Sequence, residues 1–441
     1  MTLRKLALSL TLLGSVSLTQ GADLLEVYRA ARNYDAGYAA ASAARDAERE
    51  KAPQARAGLL PSIGLAANTT HNRVESTPRA GGLASDAEYN SNGWTISLSQ
   101  PLFRWQNWQG YQQGELLAAN AEARFVQAGQ ELLLRVTQAY FDVLLAQETV
   151  ASVQALKLAT VEQLASARRN FEVGTATITD THEAQARHDL IVAQEIAAAN
   201  DLAVRQQFLL SLTGEAYSQL NGLKQDVNIG RPMPDDMAQW ASLAERGNIG
   251  VQVAETAREV ARREVEKQSA GHYPTVDLVA SHGRSATGFS PTLPGGLDSH
   301  TTTIGLQLNL PIFAGGSVSS KSREAAFLHE KSRAELENAR RQAVLAARQA
   351  YLAFSNGQAQ IKAFEAGVTS SQLALDANKL GYEVGIRINM DILNAQSQLF
   401  DTRVKLVKSR LDTMLSLLRL KQAAGILAEE DLAAINTLLK R

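Results

Sequence analysis

The chain has 441 residues, a formal net charge of −1 and no cysteine. That charge gives no general reason to expect nucleic acid as a partner. The missing cysteines exclude disulfides, thiolate metal sites, a cysteine nucleophile and lipidation at a cysteine. A chain of this length ordinarily suggests two or three domains.

Residues 1–22 read as a secretory signal peptide. Arg4 and Lys5 precede an apolar run from Leu6 to Leu18, and small residues follow around Gly21 and Ala22. That run falls short of the ~20 residues of a membrane-spanning helix, and no later stretch reaches the length of one. An Ala- and Arg-rich pattern predicts helix from about Asp23 to Ala57.

The period then changes to two. Ile63, Leu65 and Ala67 alternate with Gly64, Ala66 and Asn68, and Trp94, Ile96 and Leu98 alternate with Thr95, Ser97 and Ser99. Two strands of roughly ten residues are predicted, the length of a transmembrane β-strand, with Thr70–Asn92 as a polar connection. Phe103, Trp105 and Trp108 stand where the helices begin, as an interfacial aromatic girdle requires. A soluble hairpin with one face on a core explains the aromatics less well.

A helical pattern follows from Trp105 to about Asn170, roughly 100 Å at a rise of about 1.5 Å per residue. Leu133, Val136, Tyr140 and Val143 give it a coiled-coil seam. Phe171-Glu172-Val173-Gly174 interrupts it, and a second helical run returns to Gly214. The interruption reads as the tip of a helical hairpin, with Gly174 freeing the turn.

The whole arrangement occurs twice. Phe171-Glu-Val-Gly returns as Tyr382-Glu-Val-Gly, Asp180 as Asp391 and Gln138-Ala139-Tyr140 as Gln349-Ala350-Tyr351, all displaced by 211 (171 to 382). Pro101-Leu102-Phe103 returns as Pro311-Ile312-Phe313 and Pro61 as Pro274. A near-constant displacement marks internal repeats. The first repeat spans 23–214 and the second 236–425. A linker, 215–235, joins them through a Pro- and Gly-containing stretch, and 426–441 form a tail. In the second repeat a helix is predicted over Asp236–Ala270. Strands follow at Val276, Leu278 and Ala280 and at Ile304, Leu306 and Leu308, with Arg284–His300 between them. The returning helix carries Phe400, Val404, Val407, Leu411, Met414 and Leu418. Four strands cannot close a barrel, and an open edge is not tolerated in lipid. Other copies of the chain must complete it.

No enzyme is expected. Ser317–Ser322 after Gly315-Gly316 lacks the second glycine of a phosphate loop, and His182 and His188 lie six apart, off the spacing of a helical metal pair. Catalytic residues, metal sites and cofactors are all expected to be absent.

The duplicated order of helix, strand pair and long hairpin resembles the TolC family of bacterial outer-membrane efflux and type I secretion channels. Gln100-Pro101-Leu102-Phe103, Leu310-Pro311-Ile312-Phe313 and the two Glu-Val-Gly tips carry the resemblance. It implies a mixed all-α plus membrane β fold. Duplicated helical hairpins form a periplasmic α-barrel, and four strands per chain complete a 12-stranded β-barrel in a homotrimer, in outer-membrane lipid. The linker and tail form an equatorial belt. It implies a passive exit duct with no cofactor, served by a periplasmic adaptor (membrane fusion) protein and an inner-membrane ABC or proton-driven pump. Drugs and unfolded secreted proteins are both open as cargo.

The resemblance also implies a periplasmic gate linking Tyr382 and Arg387 of the second tip to Thr179 and Asp180 of the first, with Gly174 and Gly385 at the turns. Asp180 and Asp391 are equally placed to be plain N-caps. A pore selectivity ring falls on Asp391 and Asn394; the family carries aspartate at both, so Asn394 is a departure that implies weaker cation selectivity. Only the second tip has the arginine, opposite Ala176, which makes the second hairpin the expected moving part. The alternatives are a periplasmic structural or adaptor coiled-coil protein, which should show a β-rich domain flanking a single hairpin, and a secreted enzyme.

Overall fold

A computed structural model describes residues 21–77, 85–224, 226–289 and 295–440. The expected signal peptide lies outside the described residues except for its last two positions. In chain order the first elements are helices α1 (Leu24–Tyr34), α2 (Ala36–Arg49) and α3 (Lys51–Ala57), strands β1 (Ser62–Ser76) and β2 (Ser85–Phe103), and helices α4 (Trp105–Glu172) and α5 (Ile178–Thr213). The series then repeats as helices α6 (Met237–Gly247) and α7 (Ile249–Ser269), strands β3 (Thr275–Thr287) and β4 (Leu297–Asn309), and helices α8 (Ser317–Glu383) and α9 (Asn389–Ala423). A short helix α10 (Glu429–Asn436) ends it.

The single helices expected over Asp23–Ala57 and Asp236–Ala270 are broken. Asp35 leaves helical backbone at ψ 115°, and its Oδ1 accepts from the Tyr38 amide at 2.7 Å, so it ends α1 and starts α2. Asn248 adopts ψ 129° at the matching place in the second repeat. Both are short polar residues whose side chains compete for backbone hydrogen bonds.

One compact unit comprises the described parts of 40–127 and 249–342. It holds an antiparallel sheet in the order β1-β2-β3-β4. Register aligns whole rows of like chemistry. Ile63, Leu98, Ala280 and Ile304 lie side by side, and the neighbouring row on the opposite face is Gly64, Ser97, Ser281 and Thr303. The apolar rows are not covered within the chain: Ile63 and Leu65 are 71% exposed and Ile304 is 75% exposed. An exposed apolar sheet face opposed by a small, polar one suits lipid outside and water inside.

The strands are longer than the ten residues expected, at 15, 19, 13 and 13. The excess lies in residues read as connections. There polar cross-strand pairs hold the ladder: His71 with Asn90 at 2.9 Å, Asn72 with Ser91 at 2.9 Å and Arg284 with Asp298 at 2.8 Å. Polar pairs directly opposite, as His71 and Asn90 are, or diagonal, as the other two are, stabilise a ladder without apolar alternation, so hydropathy missed this part. At the other end, Arg104 grips Asp277 with two hydrogen bonds of 2.7 and 2.6 Å.

The other unit comprises the described parts of 1–39, 128–248 and 343–441. Its core gathers Leu24 and Val27 of α1, the expected seam Leu133, Val136, Tyr140 and Val143 of α4, and Leu411, Met414 and Leu418 of α9. Linker residues Leu220 and Ile229 join the same core with Leu432, Ile435 and Leu439. The stretch read as a tail therefore packs as structure, and Leu439 forms a β-bridge with Leu223. Toward the start of α9 the buried stripe turns polar. Thr402 and Ser409 are buried while Phe400, Val404 and Val407 are only half-buried. Thr402 bonds the Gln398 carbonyl at 2.7 Å, which satisfies its hydroxyl within the helix. Opposite α9, Gly357 lets α8 approach: a Cβ there would stand 2.2 Å from Thr413 Oγ1.

Candidate functional site

The two tips are built by the same backbone device. In each, a glycine at φ 78° follows the outgoing helix, at Gly174 and Gly385. The Gly174 amide donates to Phe171 O at 3.0 Å and the Thr175 amide to Asn170 O at 2.8 Å. At the second tip the Gly385 amide donates to Tyr382 O at 3.1 Å and the Ile386 amide to Gly381 O at 2.9 Å. This is the Schellman pattern, which needs a left-handed residue and so selects glycine.

The returning helices start differently. Thr177 and Asp180 form a capping box at the start of α5. Asp180 Oδ2 accepts from the Thr177 amide at 2.8 Å, and Thr177 Oγ1 accepts from the Asp180 amide at 3.3 Å. At the start of α9 the matching cap position is Ile388, which has no side-chain acceptor. Only Asp391 contributes there, through a weak 3.5 Å bond from the Ile388 amide. A full cap is worth about 1 kcal/mol, so the second tip is the less firmly started.

Across the two tips, Tyr382 Oη accepts from Asn170 Nδ2 at 2.8 Å, and the Tyr382 ring packs against Leu375, Ile392 and Leu399. Arg387 Nη1 lies 3.7 Å from Asp391 Oδ2, one turn on within its own hairpin. The Arg387 side chain is 57% exposed and that of Asp391 34%, so solvent screens the pair and it contributes ~0–1 kcal/mol. Thr179 is exposed in the first turn of α5, Asp391 is half-buried and Asn394 is exposed. A groove of about 490 Å³ separates the tips, lined by Asn170, Asp180, Tyr382, Glu383, Arg387 and Asn389 among others.

Within one chain, then, Tyr382 bonds Asn170 instead of Thr179 or Asp180, and Arg387 stands in a loose ion pair with Asp391. Sequence reasoning missed two residues. Asn170 stands one position before Phe-Glu-Val-Gly, but its counterpart is Gly381, so the repeat hid it. A Cβ at Gly381 would meet Arg387 Cγ at 2.7 Å, and its absence makes room for the arginine stem. Asn389 is 5% exposed, and both its amide atoms lack partners among the described residues. Among the described residues, no group of three or more His, Asp or Glu could hold a metal ion, and no helix is long and apolar enough to cross a membrane.

The profile of the family described as outer membrane efflux protein matches residues 27–215 and 240–426. The chain belongs to this family. It is 32% identical over 431 residues to the outer membrane protein TolC of Vibrio cholerae, covering 97% of this chain and 96% of that one. It is 33% identical over 442 residues to the proteases secretion protein PrtF of Dickeya chrysanthemi, covering 98% and 94%. The Campylobacter jejuni CmeC outer membrane channel shares the fold, with a TM-score of 0.80, 17% identity and coverage of 95% and 90%. As a member of the efflux protein family the chain is an outer-membrane channel for export, of the TolC type. Its family is one of channels, not enzymes. Nothing in these likenesses supports the periplasmic adaptor alternative.

Proposed function

We propose that three copies of the chain form the exit duct of a tripartite export system, closed at rest by the hairpin tips. The observation that carries the trimer is the sheet. Among the described residues the outer edges of β1 and β4 are unpaired, and the apolar face of the sheet is bare. Three such sheets give the twelve strands of one barrel and leave no edge in lipid. The long hairpins then continue the duct into the periplasm, where an adaptor and an energised inner-membrane pump engage the tips.

Gating falls on Tyr382, Arg387, Thr179 and Asp180. The tips carry few and weak links, as a gate opened by a partner requires. Arg387 is 57% exposed on its side chain and free to bridge to a neighbouring copy as well as to Asp391. Asp391, with Asn394 in place of a second carboxylate, lines the pore just inside. The export of proteins is part of its work, since PrtF, similar over nearly the whole chain, is a protease secretion protein.

Fractionation and planar-bilayer recording test this reading. The chain is expected in the outer membrane as a trimer giving discrete conductance steps. Recovery as a soluble monomer would sink it. Expression in a strain lacking its own channel, with an ABC exporter and its adaptor, should restore secretion of a protease. Restored resistance to small toxic compounds without secretion would remove proteins from the cargo.

A further inference from the structure

We propose that Glu183 is a selectivity residue of the channel tip, a carboxylate supplied by the first hairpin in place of the one absent at Asn394. The inference rests on the pore-ring reading above and adds to it a residue from the other repeat. Glu183 and Asn394 are separated by the repeat displacement of 211, and each stands nine residues beyond the left-handed glycine of its tip. The two returning helices leave those tips in the same orientation toward their own hairpins. Ala184 is fully buried against Leu164 and Ala167, and its counterpart Ala395 packs against Leu375, Ile392 and Leu399. One residue earlier on a helix is a fixed rotation of about 100°. Glu183 therefore stands to the first hairpin as Asn394 stands to the second. Whatever Asn394 faces, Glu183 faces from the alternate position around the ring.

The side chains agree with that role. Asp180 is occupied as a helix cap and Asp391 pairs with Arg387. Glu183 is exposed, and among the described residues it has neither a hydrogen bond nor an ion pair, Arg187 one turn on included. Its carboxylate is free to act on passing ions, and it reaches one methylene further than an aspartate would. A trimer thus presents three carboxylates from Glu183 in addition to three from Asp391. Carboxylates facing one narrow aqueous path concentrate cations and repel anions. The exchange of an acidic second-repeat position for an acidic first-repeat position keeps their number while moving them.

Wild type, Glu183→Gln, Asp391→Asn and Asn394→Asp channels should be compared in planar bilayers, by reversal potential in a KCl gradient and by block with hexamminecobalt(III). The single-channel step itself certifies that each variant is assembled. Glu183→Gln is expected to raise the half-blocking concentration about tenfold, equivalent to about 1.4 kcal/mol, and to lower cation preference. The double variant Glu183→Gln with Asn394→Asp should recover wild-type block. If Glu183→Gln behaves as wild type while Asp391→Asn shifts both readouts, the inference fails and the ring stands. If neither variant moves either readout, the ring itself fails and the inference with it.

Discussion

Asn170 Nδ2 donates to Tyr382 Oη across 2.8 Å, tying the end of the first hairpin's outgoing helix to the end of the second's. The two residues are 212 apart in sequence. A hydrogen bond of this kind contributes about 0.5–1.5 kcal/mol net. Asn170→Ala and Tyr382→Phe should each raise closed-state leak in planar bilayers about two- to tenfold, the factor that energy carries. Because they remove the same bond, the double variant should leak no more than either single one. Wild-type leak in Asn170→Ala would remove this bond from the gate.

Arg387 poses a sharper question. Its partner within the chain is Asp391, in an i, i+4 pair worth about 0.3–0.5 kcal/mol. Loss of that pair alone would change leak by little more than twofold. Under the proposed gate the guanidinium also bridges to a neighbouring copy, so Arg387→Ser should leak more than Asn170→Ala does. A wild-type conductance would reject the role of Arg387, and with it the second hairpin as the moving part.

The Arg104–Asp277 clamp fixes the strand-to-helix junction of the first repeat to a strand of the second. Its partners are unequal, since Asp277 is 6% exposed while the Arg104 side chain is 40% exposed. Removing the arginine strands a buried carboxylate, whereas removing the aspartate leaves a cation that water can reach. Arg104→Met should therefore destabilise the assembled protein more than Asp277→Asn, by about 1–3 kcal/mol relative to wild type. Heat dissociation of the assembly in detergent measures it. Equal losses would mean that the clamp is solvated on both sides.

How much of this could be read from residue order depends on what each element is made of. The hairpins, strands and tips were legible because periodicity and duplication repeat them. Pro101 and Pro311, Gly174 and Gly385 recur at nearly the same displacement, 210 and 211, and their roles follow from backbone chemistry alone. Breaks at Asp35 and Asn248 were missed because a single polar residue carries each. The outer halves of the strands were missed because Arg73, Asn72 and His71 are held by polar partners on the neighbouring strand instead of a core. At the candidate site a helix start beside Asp180 and Asp391 was readable, although neither is the plain N-cap expected: Thr177 and Ile388 hold the cap positions and the aspartates stand three residues on. Asn170 was not readable, because its counterpart is a glycine and its partner lies in the other repeat.

Tyr140 and Tyr351 occupy one place in the two repeats and are held differently. Tyr140 is fully buried, with its Oη 3.1 Å from Ala22 O and 3.0 Å from Asn221 O. Burial pushes its phenol well above the ordinary range. Tyr351 Oη instead donates to Asp235 at 3.0 Å, and bonds from Arg231 and then Tyr351 hold that exposed carboxyl below its usual range. Tyr140→Phe leaves buried carbonyls short of a donor and should cost about 1–3 kcal/mol, whereas water replaces the lost bond in Tyr351→Phe. The pH dependences differ in acid, since the Tyr351 phenol, raised by its bond to Asp235, shares the alkaline loss of Tyr140 and only the Asp235 contribution is lost as pH falls. The contribution of Tyr140 is fully present below the unfolded phenol value of about 10 and is lost as pH rises beyond it. The gap between wild type and Tyr140→Phe should therefore narrow in alkali. The contribution of Asp235 is present above the ordinary carboxylate range and is lost as pH falls through its depressed value, so any gap for Tyr351→Phe should narrow in acid. Thermal dissociation followed across pH separates the two, and an alkaline gap for Tyr140→Phe as wide as the neutral one would show that its phenol ionises as freely folded as unfolded.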